Sequence, residues 1–181
     1  MKKLLSFLFV IFCSFTAYGE EIKPIEWQEL VPYDLRQRAL EIQEKIYNYS
    51  PHENPDPAAM TQIKMDDVVK ELDGKKIKIT GFIVPLEFDT EYVNEFLLAP
   101  YIGACIHVPP PPANQIIYVT SKKKVKIDDI YYPFTFEGTL IVKSSQTELA
   151  ETAYSLDATD YTVENDDKLF DDEIIEEEIP G

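Results

Sequence analysis

Residues 96–118, FLLAPYIGACIHVPPPPANQIIY, form the stretch that most restricts what this chain can fold into. The stretch contains no lysine, arginine, aspartate or glutamate, although 28% of the chain is charged. Four consecutive prolines interrupt it, and proline neither continues a helix nor donates to a β-ladder. We therefore expect two apolar strands joined by a rigid connection, and we expect a binding site at this connection.

The proline run favours an extended, left-handed conformation with exposed carbonyl groups. The candidate ligand- or partner-binding residues in and around it are Pro109, Pro110, Pro111, Pro112, Asn114, Gln115 and Tyr101. Two interpretations remain open. The segment is either a stiff crossover that holds two strands in register, or a rigid wall that binds a peptide, a glycan or a protein partner.

Cys105 and His107 are two positions apart, so on an extended segment their side chains face the same direction. Thiolate and imidazole are ligands that zinc and copper prefer, and Glu87, at the end of a predicted strand, is a third candidate ligand. His52 would join them only if its loop folds back. The sequence thus predicts a transition-metal site, with zinc as the expected ion.

Two alternatives compete with a metal at Cys105. The cysteine could be a small buried apolar residue, with a nearby histidine that only satisfies backbone groups. It could also be the nucleophile of a thiol enzyme, although parallel side chains two positions apart on one strand do not point at each other.

The first 19 residues have the order of a secretory signal peptide: Lys2 and Lys3, an apolar run over residues 4–17, and small residues before Glu20. The apolar run is shorter than the roughly 20 residues that span a bilayer. We expect cleavage before Glu20 and a periplasmic protein without a stable membrane anchor. Cys13 would be lost with the signal, which leaves Cys105 without a disulfide partner.

The chain is strongly acidic, with a formal net charge of -16 that becomes -18 without Lys2 and Lys3. Such a chain repels nucleic acid and anionic membranes, because phosphate binding depends on clustered lysine and arginine. The lysines at 122–124 are predicted to form a solvated hairpin tip. Residues 164–181 carry a run of acids with a single lysine and are predicted to be a disordered tail.

Residues 20–74 are predicted to form a helical lead-in. Trp27 belongs to its apolar start and is expected to plug a barrel end. Asp34 could cap a helix whose apolar positions recur at three- and four-residue steps. A second helix is predicted over residues 65–72, with Gly74 in the left-handed conformation that ends it.

Residues 75–163 are predicted to form a barrel domain, because short alternating segments dominate this part of the chain. Strands are expected at 75–86, 95–101, 115–121, 132–142 and 157–163. Gly81 should bend the first strand, and Ser145 with Glu148 is the pattern of a helix start before the last strand. The predicted fold is mainly β (α+β): a small barrel like the oligonucleotide/oligosaccharide-binding (OB) fold, with the helical lead-in and one C-terminal helix.

The chain resembles the bacterial exported family known as domain of unknown function 3299. The residues that carry the resemblance are IEWQELVP, ELDGKKIKITGFIVPLE and FLLAPYIGACIHVPPPPANQIIYV, followed by PFTFEGTL and ETAYSLDA. The resemblance runs from about Trp27 to Val163 and implies no established activity. It suggests an association with ABC importers and with periplasmic proteins that handle metals.

The expected function is that of an exported accessory protein that binds zinc, with an ABC-importer component or another periplasmic protein as partner. The alternative is a metal-free binding module, and a thiol enzyme is the third possibility.

Overall fold

The computed structural model describes residues 21–48, 62–87, 90–106, 109–126 and 130–164. The helices and strands in these ranges are β1 (Lys23–Pro24), α1 (Arg36–Tyr47), β2 (Lys76–Pro85), β3 (Tyr92–Ala99), β4 (Ile117–Lys126), β5 (Phe134–Gln146) and β6 (Glu151–Val163). None of the helices in the described ranges combines the length and apolar composition needed to cross a membrane. The predicted signal peptide, the acidic tail beyond residue 164, His52 and His107 lie outside the described residues.

Strands β2 to β6 close into a barrel. Their order is β2-β3-β4-β6-β5, and β5 pairs back onto β2. The β4–β6 pair is parallel, whereas the other pairs within the ring are antiparallel. Strand β1 adds a short parallel pair to β2. The prediction of a small, mainly β barrel with an OB-like architecture is confirmed.

Gly81 is the position at which β2 changes partner. Residues up to Gly81 pair with β5, and residues from Phe82 onward pair with β3. A Cβ at Gly81 would lie 2.7 Å from the carbonyl oxygen of Ala99 and 2.9 Å from a ring carbon of Trp27. The bend therefore requires a residue without a side chain, as the sequence predicts.

Trp27 packs directly against this bend. Its indole N–H donates to the carbonyl oxygen of Thr80 at 2.7 Å, and its half-buried ring packs against the main core. That core fills the barrel with inward-facing side chains from all five strands. Its largest fully buried members include Phe96, Phe134, Phe136 and Tyr154.

Tyr154 fixes the lead-in to the barrel. Its hydroxyl accepts a hydrogen bond from the backbone N–H of Val69 at 2.7 Å and donates one to the carbonyl oxygen of Leu30 at 2.8 Å. The side chain is fully buried and so is its hydrogen bond to Leu30, so that carbonyl oxygen has no access to bulk water as a replacement partner. One side chain thereby anchors two irregular segments.

Helix α1 is confirmed, and its buried residues Ala39, Ile42 and Ile46 are those that the helical period predicts. The predicted cap at Asp34 is wrong: a 3-10 turn over Tyr33–Leu35 leads directly into α1, and no side chain caps the helix start.

The predicted helix over residues 65–72 is also wrong, except for a 3-10 turn at Lys70–Leu72. Residues 62–69 are irregular because their backbone groups bond elsewhere. The carbonyl oxygen of Met65 accepts from the backbone N–H of Asn114, and that of Asp67 accepts from the Asn114 side chain. Gly74 does adopt the expected left-handed conformation, with φ of 72°.

The predicted C-terminal helix is a β-hairpin turn. Strand β5 ends at Gln146 and β6 begins at Glu151, and the two pair from that turn onward. The Thr147 hydroxyl accepts from the backbone N–H of Ala150 and donates to its carbonyl oxygen. This local bonding competes with helix formation, so the Ser145–Glu148 pattern does not start a helix here.

The lysines at 122–124 are exposed, but they lie inside β4 rather than at a hairpin tip. Val125 pairs with Val93 and Thr120 with Glu95, so residues 121–124 lie opposite Asn94 alone. We call residues 121–124 the lysine bulge.

Replacement of Gly81 tests the bend. We expect Gly81→Ala to lower the free energy of unfolding by about 3 kcal/mol, because the added Cβ meets a backbone oxygen that cannot move away. Gly74→Ala is the control: nothing lies within 4 Å of its Cβ, so only the cost of the left-handed conformation, about 1 kcal/mol, should appear. Urea unfolding monitored by circular dichroism measures both, and equal losses would contradict this role of Gly81.

Replacement of Tyr154 tests the anchor. We expect Tyr154→Phe to cost about 2 kcal/mol, because it leaves a buried acceptor and a partly buried donor unpaired. Tyr161→Phe is the matched control. This variant removes a single hydrogen bond, to the carbonyl oxygen of Lys124, that is more exposed than those of Tyr154. It should cost below about 1 kcal/mol. Unfolding of both variants in urea gives the comparison, and a neutral Tyr154→Phe would show that the anchor is dispensable.

Candidate functional site

The second half of β3, residues 96–99, is buried on both of its faces, which accounts for the missing charges in the central stretch. Phe96 and Leu98 point into the barrel, whereas Leu97 and Ala99 point outward, and all four are fully buried. The outward pair belongs to a second apolar cluster with Ala104. The chain after β3 thus covers part of the barrel's outer face.

Cys105 lies in this cover, in a turn rather than on an extended segment. Its φ of 65° is in the left-handed region, so the expected extended geometry is wrong at this position. The side chain is half-buried against the second apolar cluster and forms no disulfide. Burial raises the pKa of the Cys105 thiol to about 12, so at neutral pH the group is a protonated thiol.

The metal site predicted at Cys105, His107 and Glu87 stays a prediction, because His107 lies outside the described residues. Within the described ranges, no three cysteine, histidine, aspartate or glutamate side chains are placed to hold a metal ion. Glu87 is exposed after the end of β2 and lines a cleft with residues of β3.

The proline segment is buried, whereas the sequence predicts that its carbonyl groups are exposed. All four residues, Pro109, Pro110, Pro111 and Pro112, are buried. The Tyr101 hydroxyl donates to the carbonyl oxygen of Pro109 at 3.1 Å, and the Gln62 side chain donates to that of Pro111 at 2.7 Å. Burial, and then the nearby Cys105, raise the pKa of Tyr101, so this phenol remains a donor.

Asn114 and Gln115 are also buried, with their amide groups directed to their own chain. The Gln115 side chain donates to the carbonyl oxygen of Trp27 at 2.8 Å, and that of Asn114 donates to Asp67. The Gln62 side chain accepts a hydrogen bond from the backbone N–H of Glu151, and it donates to the carbonyl oxygens of Glu151 and Pro111. These contacts tie the lead-in, the crossover and β6 together.

Helix α1 packs on this crossover without leaving space for a ligand. The gap between Ala39 and Ile46 on one side and Pro111 and Pro112 on the other holds about 10 Å³. That is the space of about one water molecule. The structure thus has the first of the two arrangements that the sequence left open, a stiff crossover. Ligand binding by its residues stays a prediction.

An exposed line of polar side chains crosses the outer face beside this cover. Glu95 pairs with Thr120, Thr120 with Asp157, and Asp157 with Thr139, so one rung of the sheet runs over β3, β4, β6 and β5. At least one strand neighbour of each residue faces the core, namely Phe96, Val119, Leu156 or Leu140, so the four side chains point outward. We call Glu95, Thr120, Asp157 and Thr139 the polar row.

The next rung adds two hydroxyl groups to the same face. Tyr118 and Ser155 pair with each other between Leu97 and Ile141. The Tyr118 hydroxyl donates to a Glu95 carboxylate oxygen at 2.8 Å. Burial, and then this hydrogen bond, raise the pKa of Tyr118, so the phenol stays protonated and holds the carboxylate. The buried Ser155 hydroxyl has no hydrogen-bond partner.

A cleft of about 180 Å³ continues the polar row at its Glu95 end. Its walls are Leu86, Glu87, Tyr92, Val93, Asn94 and Glu95. Tyr92 is exposed there, and Glu87 and Asp157 form no ion pair with the described residues. The volume is below the roughly 300–1,000 Å³ of pockets that enclose a drug-sized ligand. The cleft suits the end of a chain that lies across the surface.

Sequence reasoning missed the polar row because its members lie on four strands and meet only through strand register. The alternation in residues 151–163, with Tyr154, Leu156 and Ala158 on one face, predicts that Asp157 points outward. No local pattern indicates that β6 lies beside β4, so Thr120 and Asp157 could not be paired in advance.

Thiol chemistry tests the assignment of Cys105. In a Cys13→Ser background we expect iodoacetamide to alkylate native Cys105 far more slowly at pH 8 than it alkylates glutathione. The rate should rise about tenfold per pH unit above pH 8, because the thiolate fraction does. Mass spectrometry of timed samples gives the rates, with urea-unfolded protein as the control. Alkylation of the native protein as fast as of the unfolded protein would contradict the raised pKa.

Comparison with known proteins places this architecture in one family. Residues 27–163 match the family described as "Protein of unknown function (DUF3299)". The fold is similar to the crystal structure of a DUF3299 family protein from Pseudomonas aeruginosa, with 36% sequence identity and a TM-score of 0.59 over 80% of this chain and 97% of that chain. No curated protein matches the chain. The chain, with its OB-like barrel and its covered outer face, belongs to the DUF3299 family.

Proposed function

We propose that the protein is an exported binding module, without catalytic activity, that holds an extended polar ligand on the polar row and the adjoining cleft. The observation that carries this proposal is the rung itself. Glu95, Thr120 and Asp157 point outward from the neighbouring strands β3, β4 and β6 and are exposed, whereas Thr139, next on the rung, is half-buried.

The position of the row on the barrel supports binding. In OB-like barrels, ligands lie on the face of the second and third strands, between the loop that joins strands one and two and the loop that joins strands four and five. The equivalent elements here are β3 and β4, the loop after Pro85 and the turn at residues 147–150. The turn at residues 100–106 covers the apolar half of that face, and the polar half stays open.

The chemistry of Cys105 supports binding rather than thiol catalysis. A thiol with a pKa of about 12 is almost entirely protonated near pH 7, and the thiolate is the nucleophile. An exposed sheet with fixed hydroxyl and carboxylate groups offers many hydrogen bonds to an extended ligand, but it excludes no water from a reacting bond.

An amide-resolved titration tests the proposal. We expect a ¹⁵N-labelled chain, titrated with a panel of neutral oligosaccharides, a lysine-rich peptide and a glutamate-rich peptide, to give saturable shifts at Glu95, Thr120 and Asp157. Thr120→Val keeps the shape of the side chain and removes its hydroxyl, so it should weaken binding of the active probe about fivefold to tenfold.

Thr162→Val is the matched control. Like Thr120, Thr162 is an exposed threonine, but it lies on β6 and outside the polar row. It should leave the affinity unchanged. Shifts confined to helix α1 or to the crossover, or equal effects of the two threonine variants, would overturn the proposal.

A further inference from the structure

We propose that helix α1 pairs with α1 of a second copy of this chain in antiparallel orientation; the pairing is independent of ligand binding on the polar row. The helix has an exposed apolar stripe in addition to the buried one that packs on the crossover. Its members are Tyr33, Leu40 and Tyr47, which are 85%, 43% and 86% exposed. We call these three residues the outer stripe.

The outer stripe is one continuous line and not three scattered side chains. Its members follow each other at intervals of seven residues, which is close to two helical turns. Tyr33 precedes α1 in a 3-10 turn, but the Arg36 guanidinium lies 5.5 Å from its ring centroid, so the ring stays on the same side of the helix. The line is about 20 Å long and is centred about 130° around the helix axis from the buried stripe. Single exposed apolar residues are ordinary, whereas a contiguous patch marks an interaction surface.

The sequence of α1 makes this surface complementary to itself. When two copies of the helix meet in opposite directions at Leu40, residues at equal distances from Leu40 face each other. Seven residues away, Tyr33 of one copy faces Tyr47 of the other, so aromatic rings pack together at both ends. Four residues away, Arg36 faces Glu44, which gives an ion pair on each side of the centre. A parallel pair would place Arg36 beside Arg36 and Glu44 beside Glu44, so the charges select the antiparallel orientation.

The charges on α1 permit a second copy to approach, although the whole chain is acidic. The net charge of the chain is -16, but α1 itself, RQRALEIQEKIY, has three basic and two acidic residues. Arg36 is also held in place, because its Nε donates to the carbonyl oxygen of Val31 at 3.2 Å and its guanidinium lies over the Tyr33 ring. A side chain that is already ordered loses little entropy on binding. An ion pair with Glu44 of the second copy therefore needs little further ordering of Arg36.

The size of the outer stripe predicts a weak dimer. A buried aromatic side chain removes about 150–250 Å² from water, so the four tyrosines of a dimer bury on the order of 600–1,000 Å². Stable complexes bury about 1,200–2,000 Å², and smaller interfaces belong to transient complexes. We expect a dissociation constant of about 100 µM, so the chain is monomeric when dilute and dimeric when concentrated.

Sedimentation velocity of the chain from Glu20 onward tests the pairing. The protein is measured from about 10 to about 1,000 µM, a range that brackets the expected dissociation constant. The salt concentration is about 150 mM, because this screens the repulsion between acidic chains beyond about 8 Å. Reducing conditions prevent a disulfide through Cys105. We expect a reversible equilibrium between monomer and dimer, and a protein that stays monomeric at the highest concentration overturns the proposal.

Variants of the outer stripe locate the interface. Leu40→Lys places two ammonium groups at the centre of the dimer, and it should weaken the dimer more than Tyr47→Ala, for which we expect a loss of about tenfold. Tyr131→Ala is the matched control, because Tyr131 is 72% exposed but lies outside α1, and it should leave dimerisation unchanged. Circular dichroism establishes that each variant is folded. Equal effects of the two tyrosine variants would place the interface elsewhere and overturn the proposal.

A charge exchange tests the antiparallel orientation. Arg36→Glu alone and Glu44→Arg alone each bring like charges together on both sides of the centre, so each should weaken the homodimer about tenfold or more. A mixture of the two variants restores opposite charges at both contacts, and it should form a heterodimer about as tight as the original dimer. If the unaltered protein dimerises and the mixture stays monomeric, antiparallel pairing through α1 is overturned.

The remaining outcomes assign the outer stripe to a different occupant. If the unaltered chain is monomeric and Leu40→Lys lowers its free energy of unfolding, another segment of the same chain covers the stripe. If the chain is monomeric and Leu40→Lys leaves its stability unchanged, the stripe is free to dock a different protein. Both results overturn the second copy as the occupant, and neither affects ligand binding on the polar row.

Discussion

Closure of the barrel depends on the absence of a side chain at Gly81. At this residue β2 leaves β5 and joins β3, and the carbonyl oxygen of Ala99 and the ring of Trp27 occupy the space that a Cβ would need. Because the strands on either side of the bend belong to one closed ring, a shift here would move both neighbours. The strand register that forms the polar row therefore depends on the close approach at Gly81.

The uncharged central stretch is explained by packing. Residues 96–99 of β3 are buried on both faces, the turn that carries Cys105 covers their outer side, and the prolines lie beneath helix α1. Proline suits this crossover because its fixed φ reduces the entropy that ordering costs, and because it has no N–H group to satisfy in a buried place. The amides of Asn114 and Gln115 bond to the lead-in.

The face that remains open is a consequence of chain topology. The parallel pairing of β4 with β6 places Asp157 beside Thr120, and the long β5–β6 hairpin extends the same rung to Thr139. The tyrosine on the next rung holds Glu95 in place through its hydroxyl. Fixed polar groups on a rigid sheet lose little entropy on binding, so even weak contacts with an extended ligand can add up.

The sequence by itself determined the barrel class, the bend at Gly81, most of the strands and the buried stripe of α1. These features follow from local periodicity and from the conformations that single residues allow. Local patterns failed in two places. Met65 and Asp67 form long-range hydrogen bonds to Asn114 instead of a helix, and Thr147 bonds locally to Ala150 and closes a hairpin.

The tertiary structure alone decided which groups are exposed together. A run of prolines has the same local conformation whether it lies on the surface or under a helix. The sequence therefore does not indicate whether the run is buried or exposed. Whether side chains such as Thr120 and Asp157 share a rung depends on strand order and register, which are set by packing of the whole core and by no single segment. For this reason the sequence indicated the apolar block, and only the fold assembled the polar row.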